Sequence, residues 1–426
     1  MKTSTGNPDS MPPGVRGILY AVVCWLLRHP DALRRIGALL RYWPSLAGRL
    51  GQAVRASAAK GVLTRPTSCS NAGHRPNLVA GDYMIAMDPG PTYDDDRKLL
   101  EGRLAILDVQ TGADVEAKRL ATQLKQPGQE PFDLLEKYMM WVVFEAIKPV
   151  WGGAGSRIAA GASGNTNDRG LQLQYMLEIR YVAGQLLAGG MSTPDIRRRA
   201  ELCGKALSAR MKGVTSDIQK AWNVSIPDND LERSAAGLSW VSHPVTVQSG
   251  ALIVQELLRR PDVYRKLRKK AEQAGAGVWT DYEFRKCVWE HVLELMRFRP
   301  IFPLIPRVVP RDTEFETGGR YNADCPAGGN VAVWSIGALF DSNAVKDSKK
   351  FCPHRNWGDE EDLRWMMFGF GSRQCPAKDH AVNILTSALI GLLTMPELQL
   401  ARDDGKAITY DGPLMSGMRV RIAGSA

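Results

Sequence analysis

The stretch that decides the fold is FGFGSRQCPA at residues 368–377, in which two glycines and an arginine precede a cysteine. Gly369 and Gly371 let the backbone turn tightly around a bulky group, because glycine lacks the Cβ that restricts other residues. Cys375 lies just before a helix predicted at 377–394, where free N–H groups and the helix dipole favour an anion. The pattern therefore predicts a thiolate at Cys375, and the thiolate is the form of cysteine that binds metals.

This string resembles the heme-binding loop of the cytochromes P450, Phe-x-x-Gly-x-Arg-x-Cys-x-Gly, except at its last position, where Ala377 replaces glycine. The resemblance implies that Cys375 ligates the iron of heme b (iron protoporphyrin IX) and that Arg373 reaches a heme propionate. It also implies that Phe368, Gly369 and Ala377 contact the cofactor. In such a site the thiolate pushes electron density toward dioxygen and favours cleavage of the O–O bond.

Two further motifs of the family follow in the expected order. The sequence ELMR at 294–297 matches Glu-x-x-Arg, a spacing that puts both charges on one helix face. The sequence FCPHRNW at 351–357 resembles the Phe-x-Pro-x-Arg-Trp segment. The resemblance implies that Glu294, Arg297 and Arg355 form a buried structural ion network behind the heme.

Two shorter segments extend the resemblance. Residues 303–309 (PLIPRVV) look like the strand after the Glu-x-x-Arg helix, where Arg307 would reach a propionate. Residues 88–97 resemble Asp-Pro-Pro-x-His-x-x-x-Arg, with Tyr93 in place of the usual His or Trp and Arg97 at the expected spacing. Both side chains are implied to contact propionates, whereas the residues alone also fit an exposed acidic helix start.

The central helix predicted at 231–259 departs from the family. That helix usually carries Ala/Gly-Gly-x-Asp/Glu-Thr, whose acid and alcohol relay protons to the oxygen being activated. Counting back from the Arg-Pro landmark at 260–261 places Pro244 and Val245 at these positions, and neither side chain can move a proton. Pro244 also removes a helix hydrogen bond and predicts a kink.

Two interpretations of this departure stay open, with His243, Pro244 and Thr246 as the candidate catalytic residues. In the first, Thr246 or His243 relays protons in a shifted register, or water supplies them. In the second, the enzyme uses hydrogen peroxide or rearranges a bound hydroperoxide. Peroxygenases of this superfamily carry Arg-Pro here, and His243-Pro244 is similar, so that a protonated His243 would hold a substrate carboxylate. His243 is otherwise an ordinary helix histidine bonded to a neighbour.

Composition bounds the class of protein. The 426 residues are 44% hydrophobic and 23% charged, as in a soluble globular protein that can bury a large cofactor. The net charge of +10 is dispersed, so nucleic-acid binding is not expected. The seven scattered cysteines contain no Cys-x-x-Cys pair, which favours a reducing, cytoplasmic location over a disulfide framework or a zinc site.

The chain is predicted to have a disordered N-terminus at 1–15 and a single cytochrome P450-like heme domain at 16–426. An apolar run at 17–27 is too short to span a bilayer and is a poor signal peptide. With the arginines that follow, it predicts an amphipathic helix and at most peripheral membrane contact.

Helical periodicity dominates the rest of the chain. Candidate helices lie at 31–58, 95–109, 130–148, 171–189, 194–222, 231–259, 261–275, 280–298 and 377–394. Short β-prone pieces between 300 and 335, broken by glycine and proline, predict a small sheet, and a last strand pair is expected at 406–423. The predicted fold class is mainly α with a small β part, and the resemblance implies the triangular-prism helical domain that surrounds the heme in cytochromes P450.

The favoured function is a heme-thiolate monooxygenase that inserts an oxygen atom into a small, largely apolar organic substrate in secondary metabolism. Its electrons would come from a ferredoxin- or flavodoxin-type partner, because the chain carries no nucleotide-binding Gly-x-Gly-x-x-Gly motif of its own. One alternative is a peroxide-driven peroxygenase or hydroperoxide-rearranging enzyme that needs no reductase. Another is a degenerate heme-binding member of the family.

Overall fold

The structure is a computed structural model that describes residues 21–22, 24–42, 51–65, 87–125, 130–151, 168–187, 198, 202, 205–207, 209–211, 215–223, 225, 228–316, 322–401 and 406–423. Its contacts divide the chain into two compact units. The first unit contains Met1–Glu101, Gly184–Ala206 and Phe302–Pro376, and the second contains Gly102–Ala183, Leu207–Ile301 and Ala377–Ala426. The expected disorder at 1–15 lies outside the described residues, and the single heme domain at 16–426 stays a prediction.

Helices predominate among the described residues, which confirms the predicted fold class. In chain order the α-helices are α1 (Pro30–Tyr42), α2 (Ala56–Leu63), α3 (Pro91–Leu104), α4 (Val109–Leu124), α5 (Met140–Ile147), α6 (Arg169–Leu187), α7 (Thr215–Trp222), α8 (Asp228–Leu258), α9 (Pro261–Ala274), α10 (Tyr282–Phe298), α11 (Ser335–Leu339) and α12 (Lys378–Leu393). A π-helix (Leu135–Met139) precedes α5, and 3₁₀-helices lie at Lys148–Trp151, Gly275–Trp279, Gly358–Phe368 and Gly371–Arg373. No helix among the described residues is long and apolar enough to cross a membrane.

The strands are short. They are β1 (Gln52–Ala53), β2 (Phe132–Asp133), β3 (Ile305–Val308), β4 (Thr313–Glu316), β5 (Asn322–Cys325), β6 (Asn330–Val333), β7 (Leu398–Leu400), β8 (Ile408–Asp411) and β9 (Leu414–Ile422). In the first unit β6 pairs with β1 in parallel and with β3 antiparallel, and β4 pairs with β5. In the second unit β9 pairs antiparallel with β2, β7 and β8.

The long helices predicted from periodicity are confirmed to within a few residues at α8, α9, α10 and α12. The single helix predicted at 31–58 is wrong, because α1 ends at Tyr42 and β1 precedes α2. Gly51, directly before β1, has a φ of +65°, and a Cβ there would lie 2.4 Å from the carbonyl oxygen of Asn330. Only glycine lets the chain approach β6 this closely.

The core of the second unit is helical. Helix α12 packs on α4 and α10, and α8 packs on α5, α10 and α12. Helix α10 begins after Asp281, whose carboxylate accepts a hydrogen bond from the Phe284 N–H at 3.0 Å and satisfies a donor that the helix leaves open. This packing fixes α10, which carries the Glu-x-x-Arg motif, and α8, which carries the candidate catalytic residues.

Candidate active site

The cysteine loop of the first unit makes two turns that need glycine. Gly369 has a φ of +83° and Gly371 a φ of +67°, a left-handed region that side chains with a Cβ rarely adopt. The N–H of Cys375 donates to the carbonyl of Phe368 at 2.8 Å, which closes the loop behind the thiol. The glycines predicted to wrap the backbone around a bulky group therefore do make tight turns.

The thiol of Cys375 is half-buried and takes no part in a disulfide. Among the described cysteines, Cys24, Cys287 and Cys325 are buried, while Cys352 shares the intermediate exposure of Cys375. Exposure alone thus does not separate the two half-buried thiols. The loop does, since Cys375 stands three residues before α12 begins at Lys378.

Tyr93 and Arg97 on α3 hold the backbone of this loop. The Tyr93 hydroxyl donates to the carbonyl of Ser372 at 2.9 Å, and Arg97 Nη1 donates to the carbonyls of Ser372 and Gln374 at 3.0 and 2.9 Å. Arg97 Nε also pairs with Glu101 at 2.8 Å. Both residues thus bind carbonyls of the cysteine loop, a contact that sequence reasoning did not predict. Their contact with propionates stays a prediction.

Two further predicted arginines are buried. Arg373 donates to Asp88 Oδ1 at 2.7 Å, and its side chain is 6% exposed. Burial lowers the pKa of the Arg373 guanidinium, and the Asp88 carboxylate opposes that shift. Arg307 lies on β3 and donates to the carbonyl of Pro306 at 2.8 Å. Sequence reasoning assigned no role to Asp88, although it stands at the start of the Asp-Pro motif.

The middle of α8, in the second unit, has one accessible side. Val241, Ser242 and Val245 are half-buried, while Pro244 and Thr246 between and beside them are buried. Ser242 and Val245 follow Val241 by one and four residues, so the three half-buried residues lie on the same side of the helix. Ser242 is a hydroxyl that sequence reasoning missed, and its Oγ donates to the carbonyl of Leu238 at 2.7 Å. The three-residue spacing between Ser242 and Val245, which puts both on one side of a helix, could have indicated Ser242 from the sequence.

Helix α8 continues through Pro244, so this proline does not end it. Proline has no N–H, and the carbonyl of Trp240, four residues earlier, therefore lacks its usual helical donor. The buried Nε1–H of Trp240 also has no hydrogen-bond partner among the described residues. An unpaired polar group thus lies one helical turn before the predicted catalytic position.

His243 is buried on the side of α8 that packs against α5. Its Nε2 lies 3.0 Å from the carbonyl of Met140, which sets Nε2 as the donor, and its buried Nδ1 has no hydrogen-bond partner within the part of the chain that the structure describes. Burial lowers the pKa of His243 to about 4, and the charge of Arg180 contributes. The imidazole is therefore neutral at pH 7 in the protein without substrate, and the interpretation that a protonated His243 holds a substrate carboxylate stays a prediction. Its role as a neutral proton relay stays a prediction.

The Glu-x-x-Arg motif forms a buried ion pair on α10. Arg297 Nε and Nη2 donate to the two oxygens of Glu294 at 2.8 and 2.9 Å. The two side chains are 0% and 3% exposed. Arg355 donates to the carbonyls of Lys346 and Lys350 in its own loop. Its closure of a triad with the buried pair stays a prediction.

Comparison with known proteins tests whether the sequence around Cys375 is a chance match or the loop of a known family. The sequence profile of the family described as Cytochrome P450 matches residues 216–419, which include α8, the Glu-x-x-Arg pair and the cysteine loop. Residues 216–419 belong to the cytochrome P450 superfamily. This confirms the predicted family, and membership implies a heme-iron cofactor.

Curated sequence relatives match only part of this chain, and each match covers only part of the relative. Cytochrome P450 137 of Mycobacterium tuberculosis is 24% identical over 249 residues, 58% of this chain and 48% of the relative. Cytochrome P450 monooxygenase aneD of Aspergillus aculeatus is 26% identical over 37% of this chain and 31% of the relative. The chain thus spans about half the length, or less, of these curated relatives.

Solved structures of cytochromes P450 share the fold over almost the whole chain. The open form of EryK from S. erythraea has a TM-score of 0.71 at 18% identity and covers 93% of this chain and 96% of its own. A structure from a study of unusual P450-like monooxygenases in microbial secondary metabolism has a TM-score of 0.66 at 16% identity, with 87% and 92% covered. At these identities the likeness shows the fold.

The residues of the cysteine loop fit a heme. A heme-thiolate site would need a cysteine thiolate to ligate the iron and cations to pair with the two propionates. The first unit offers the half-buried Cys375 thiol and the buried guanidiniums of Arg373 and Arg307. Cys375, Arg373 and Arg307 are therefore the residues that would hold the group.

The neutral His243 makes the stability of this protein depend on pH. Unfolded chains bind a proton at His243 below pH 6.5, whereas the folded protein does so only near pH 4. We expect the free energy of unfolding to fall as the pH drops through this window, by up to roughly 1.4 kcal/mol per pH unit and about 3 kcal/mol in all. Denaturant unfolding at pH 7 and pH 5 measures the slope.

A matched pair of variants isolates His243. His243→Gln keeps an N–H donor for the Met140 carbonyl but cannot be protonated, so its slope should be smaller than that of the wild type. His380→Gln is the control, because His380 makes a similar 3.0 Å contact with the carbonyl of Leu104 but is only half-buried. Parallel pH dependences for wild type and His243→Gln would contradict the assignment.

Proposed function

We propose that this chain is a heme-thiolate monooxygenase that inserts an oxygen atom into a small, largely apolar organic substrate. The observation that carries the proposal is Cys375, a half-buried thiol in a loop turned by Gly369 and Gly371, within the residues that belong to the cytochrome P450 superfamily. The name of aneD, a relative, includes monooxygenase activity, and one similar structure comes from work on secondary metabolism. Both support the activity and a place in secondary metabolism.

The chain's own residues would contribute positioning and an apolar surface. When bound, the heme supplies the oxidising chemistry, and we propose that it is heme b. Tyr93 and Arg97 hold the loop carbonyls, so that the Cys375 thiolate keeps its direction. The accessible side of α8 presents Val241 and Val245, which suit an apolar substrate and exclude water from it. Ser242 is the hydroxyl on this side that would donate a proton.

The reducing partner is proposed to be a small acidic protein of the ferredoxin or flavodoxin type. The family fold implies a substrate and usually a redox partner, and the net charge of +10 would steer an acidic one. Lys98 is exposed on α3, while Arg364 is paired with Glu361 at 2.6 Å. We also propose a cytoplasmic location, where such partners are reduced.

The accessible side of α8 also favours a second candidate, a peroxide-driven peroxygenase. Val241 and Val245 leave that side without a carboxylate among the described residues, and an acid is what proton delivery to dioxygen usually requires. Hydrogen peroxide brings both protons and both electrons with it. A peroxygenase would therefore tolerate Pro244 and Val245 where a monooxygenase usually carries an acid and an alcohol.

One experiment separates the candidates. Purified heme-loaded protein is incubated with a panel of small apolar probe compounds, either with NADH, ferredoxin reductase and ferredoxin or with hydrogen peroxide alone. We expect oxygenated product in the reductase arm and none in the Cys375→Ser control. Equal or faster turnover with peroxide alone would replace the monooxygenase with the peroxygenase. Absence of product in both arms, with the heme intact, would indicate a degenerate family member.

A further inference from the structure

A lysine, a cysteine and a histidine meet where α9 contacts α10, in the second unit. Lys270 Nζ donates to the sulfur of Cys287 at 3.3 Å, and His291 Nδ1 lies 3.8 Å from the same sulfur. His291 Nδ1 also lies 2.7 Å from the carbonyl of Cys287. Because a carbonyl only accepts, this ring nitrogen carries a proton and has no lone pair to offer. Lys270 is therefore the nitrogen of the cluster that can act as a nucleophile toward the sulfur once it has lost a proton.

The sulfur of Cys287 lies just beneath the surface. Cys287 takes no part in a disulfide and is 7% exposed, while the lysine that touches its sulfur is exposed. A small oxidant such as hydrogen peroxide needs only a narrow opening to reach such a sulfur. A bulky thiol such as glutathione needs a wider one, so the thiol is better placed for oxidation by peroxide than for a mixed disulfide.

The amine of Lys270 is not occupied by an acid. Two other cations of α9, Arg265 and Arg268, each pair with a carboxylate of the same helix, at 2.5 and 3.2 Å. None of the described carboxylates forms a salt bridge with Lys270, whose side-chain contact is the sulfur. A lysine among such neighbours would ordinarily face water or an acid. Its amine is thus left next to the atom with which it can react.

We propose that Lys270 and Cys287 form a peroxide-dependent covalent cross-link that ties α9 to α10. Peroxide first transfers one oxygen atom to the Cys287 thiol, which gives a sulfenic acid and water. The Lys270 ammonium gives its extra proton to solvent, and the neutral amine attacks the sulfur. An S–N bond forms, the S–O bond breaks, and the hydroxyl leaves with one amine proton as a second water. The sulfur is oxidised by two electrons and the O–O bond of peroxide is reduced.

The geometry favours this outcome over further oxidation. The amine nitrogen already lies 3.3 Å from the sulfur, a separation at which intramolecular attack gains the full advantage of proximity. A sulfenic acid at Cys287 would therefore be captured by Lys270 before a second peroxide converts it to a sulfinic acid. The cross-link closes residues 270–287 into a loop and restricts the unfolded chain, so it should stabilise the two helices. This modification is independent of the proposed reaction at the heme.

Peptide mapping of the full-length, heme-loaded protein after treatment with dilute hydrogen peroxide tests the proposal. Trypsin does not cleave after a cross-linked Lys270, so peptide 270–285 should appear joined to peptide 287–297. The joined species should have the mass of the two peptides less two hydrogen atoms. We expect dithiothreitol to separate them, because a thiol attacks the sulfur of the S–N bond. Peroxide-treated protein should also unfold at a higher denaturant concentration, and dithiothreitol should reverse this shift.

Two lysine variants test whether the position of the amine matters. Lys270→Arg keeps the cation but replaces the amine with a guanidinium that stays protonated. We expect it to lower the yield of joined peptides at least about tenfold and to let sulfinic and sulfonic acids accumulate at Cys287. Lys286→Arg is the matched control, because Lys286 is exposed and adjacent to Cys287 in the sequence. The control should give the wild-type yield.

Three outcomes would overturn the proposal. The first is wild-type protein in which peroxide leaves peptides 270–285 and 287–297 unjoined, a result that does not depend on the folding of any variant. The second is an equal loss of joined peptides in Lys270→Arg and Lys286→Arg. The third is a joined species that dithiothreitol does not separate, since its bond would then not be between sulfur and nitrogen.

Discussion

Replacing Cys375 with serine is expected to abolish the strongly red-shifted Soret band of the dithionite-reduced, carbon-monoxide-bound protein. The shift requires a thiolate, and serine offers no sulfur and does not ionise at neutral pH. The loop should otherwise keep its shape, because its turns rest on Gly369 and Gly371 and on the bond from the N–H of residue 375 to the Phe368 carbonyl. The measurement is the optical difference spectrum together with the ratio of heme to protein.

Cys352→Ser is the matched control. Cys352 has the same intermediate exposure as Cys375 and lies in the same unit, but it is in the segment before the Gly358–Phe368 helix. We expect this variant to keep the red-shifted band in full. If Cys352→Ser loses the band and Cys375→Ser keeps it, the ligand assignment is wrong. If neither variant changes the spectrum, the iron is held by some other residue.

The cysteine loop and α10 were predictable from the sequence because their features are local. Gly369 and Gly371 have positive φ angles, as expected of glycines that turn a loop. Glu294 and Arg297 are one helical turn apart, so their pairing follows from helix geometry wherever the helix lies. Periodicity over more than ten residues likewise placed α8 and α12 within a few residues.

Features that depend on distant residues were not predictable in the same way. The pKa of His243 depends on α5, about a hundred residues earlier, and burial there leaves the ring neutral. The hydrogen bonds of Arg97 to the loop join residues about 275 positions apart. The close approach of Gly51 to Asn330 before β1 also joins residues that no local pattern connects. In each case the deciding partner is far away in the sequence, and helical period carries no information about it.

Arg297→Ala is expected to be the most destabilising of the substitutions considered for this protein. It removes both hydrogen bonds to Glu294, which is 3% exposed, and leaves a carboxylate in a place where water cannot solvate it. Breaking a buried pair on one side costs about 3–5 kcal/mol. We expect a similar loss in the free energy of unfolding, measured by denaturant titration, and protein that is depleted of heme when purified.

Arg265→Ala is the control that tests whether burial, and not ion pairing alone, causes the destabilisation expected of Arg297→Ala. Arg265 pairs with Asp262 at 2.5 Å with the same three-residue helical spacing, but the two side chains are 62% and 82% exposed. Pairs of this kind contribute about 0–1 kcal/mol, so the control should remain close to wild type. A well-folded, heme-loaded Arg297→Ala protein as stable as Arg265→Ala would show that Glu294 has another partner when Arg297 is absent. The buried pair would then not be what holds α10 in its place.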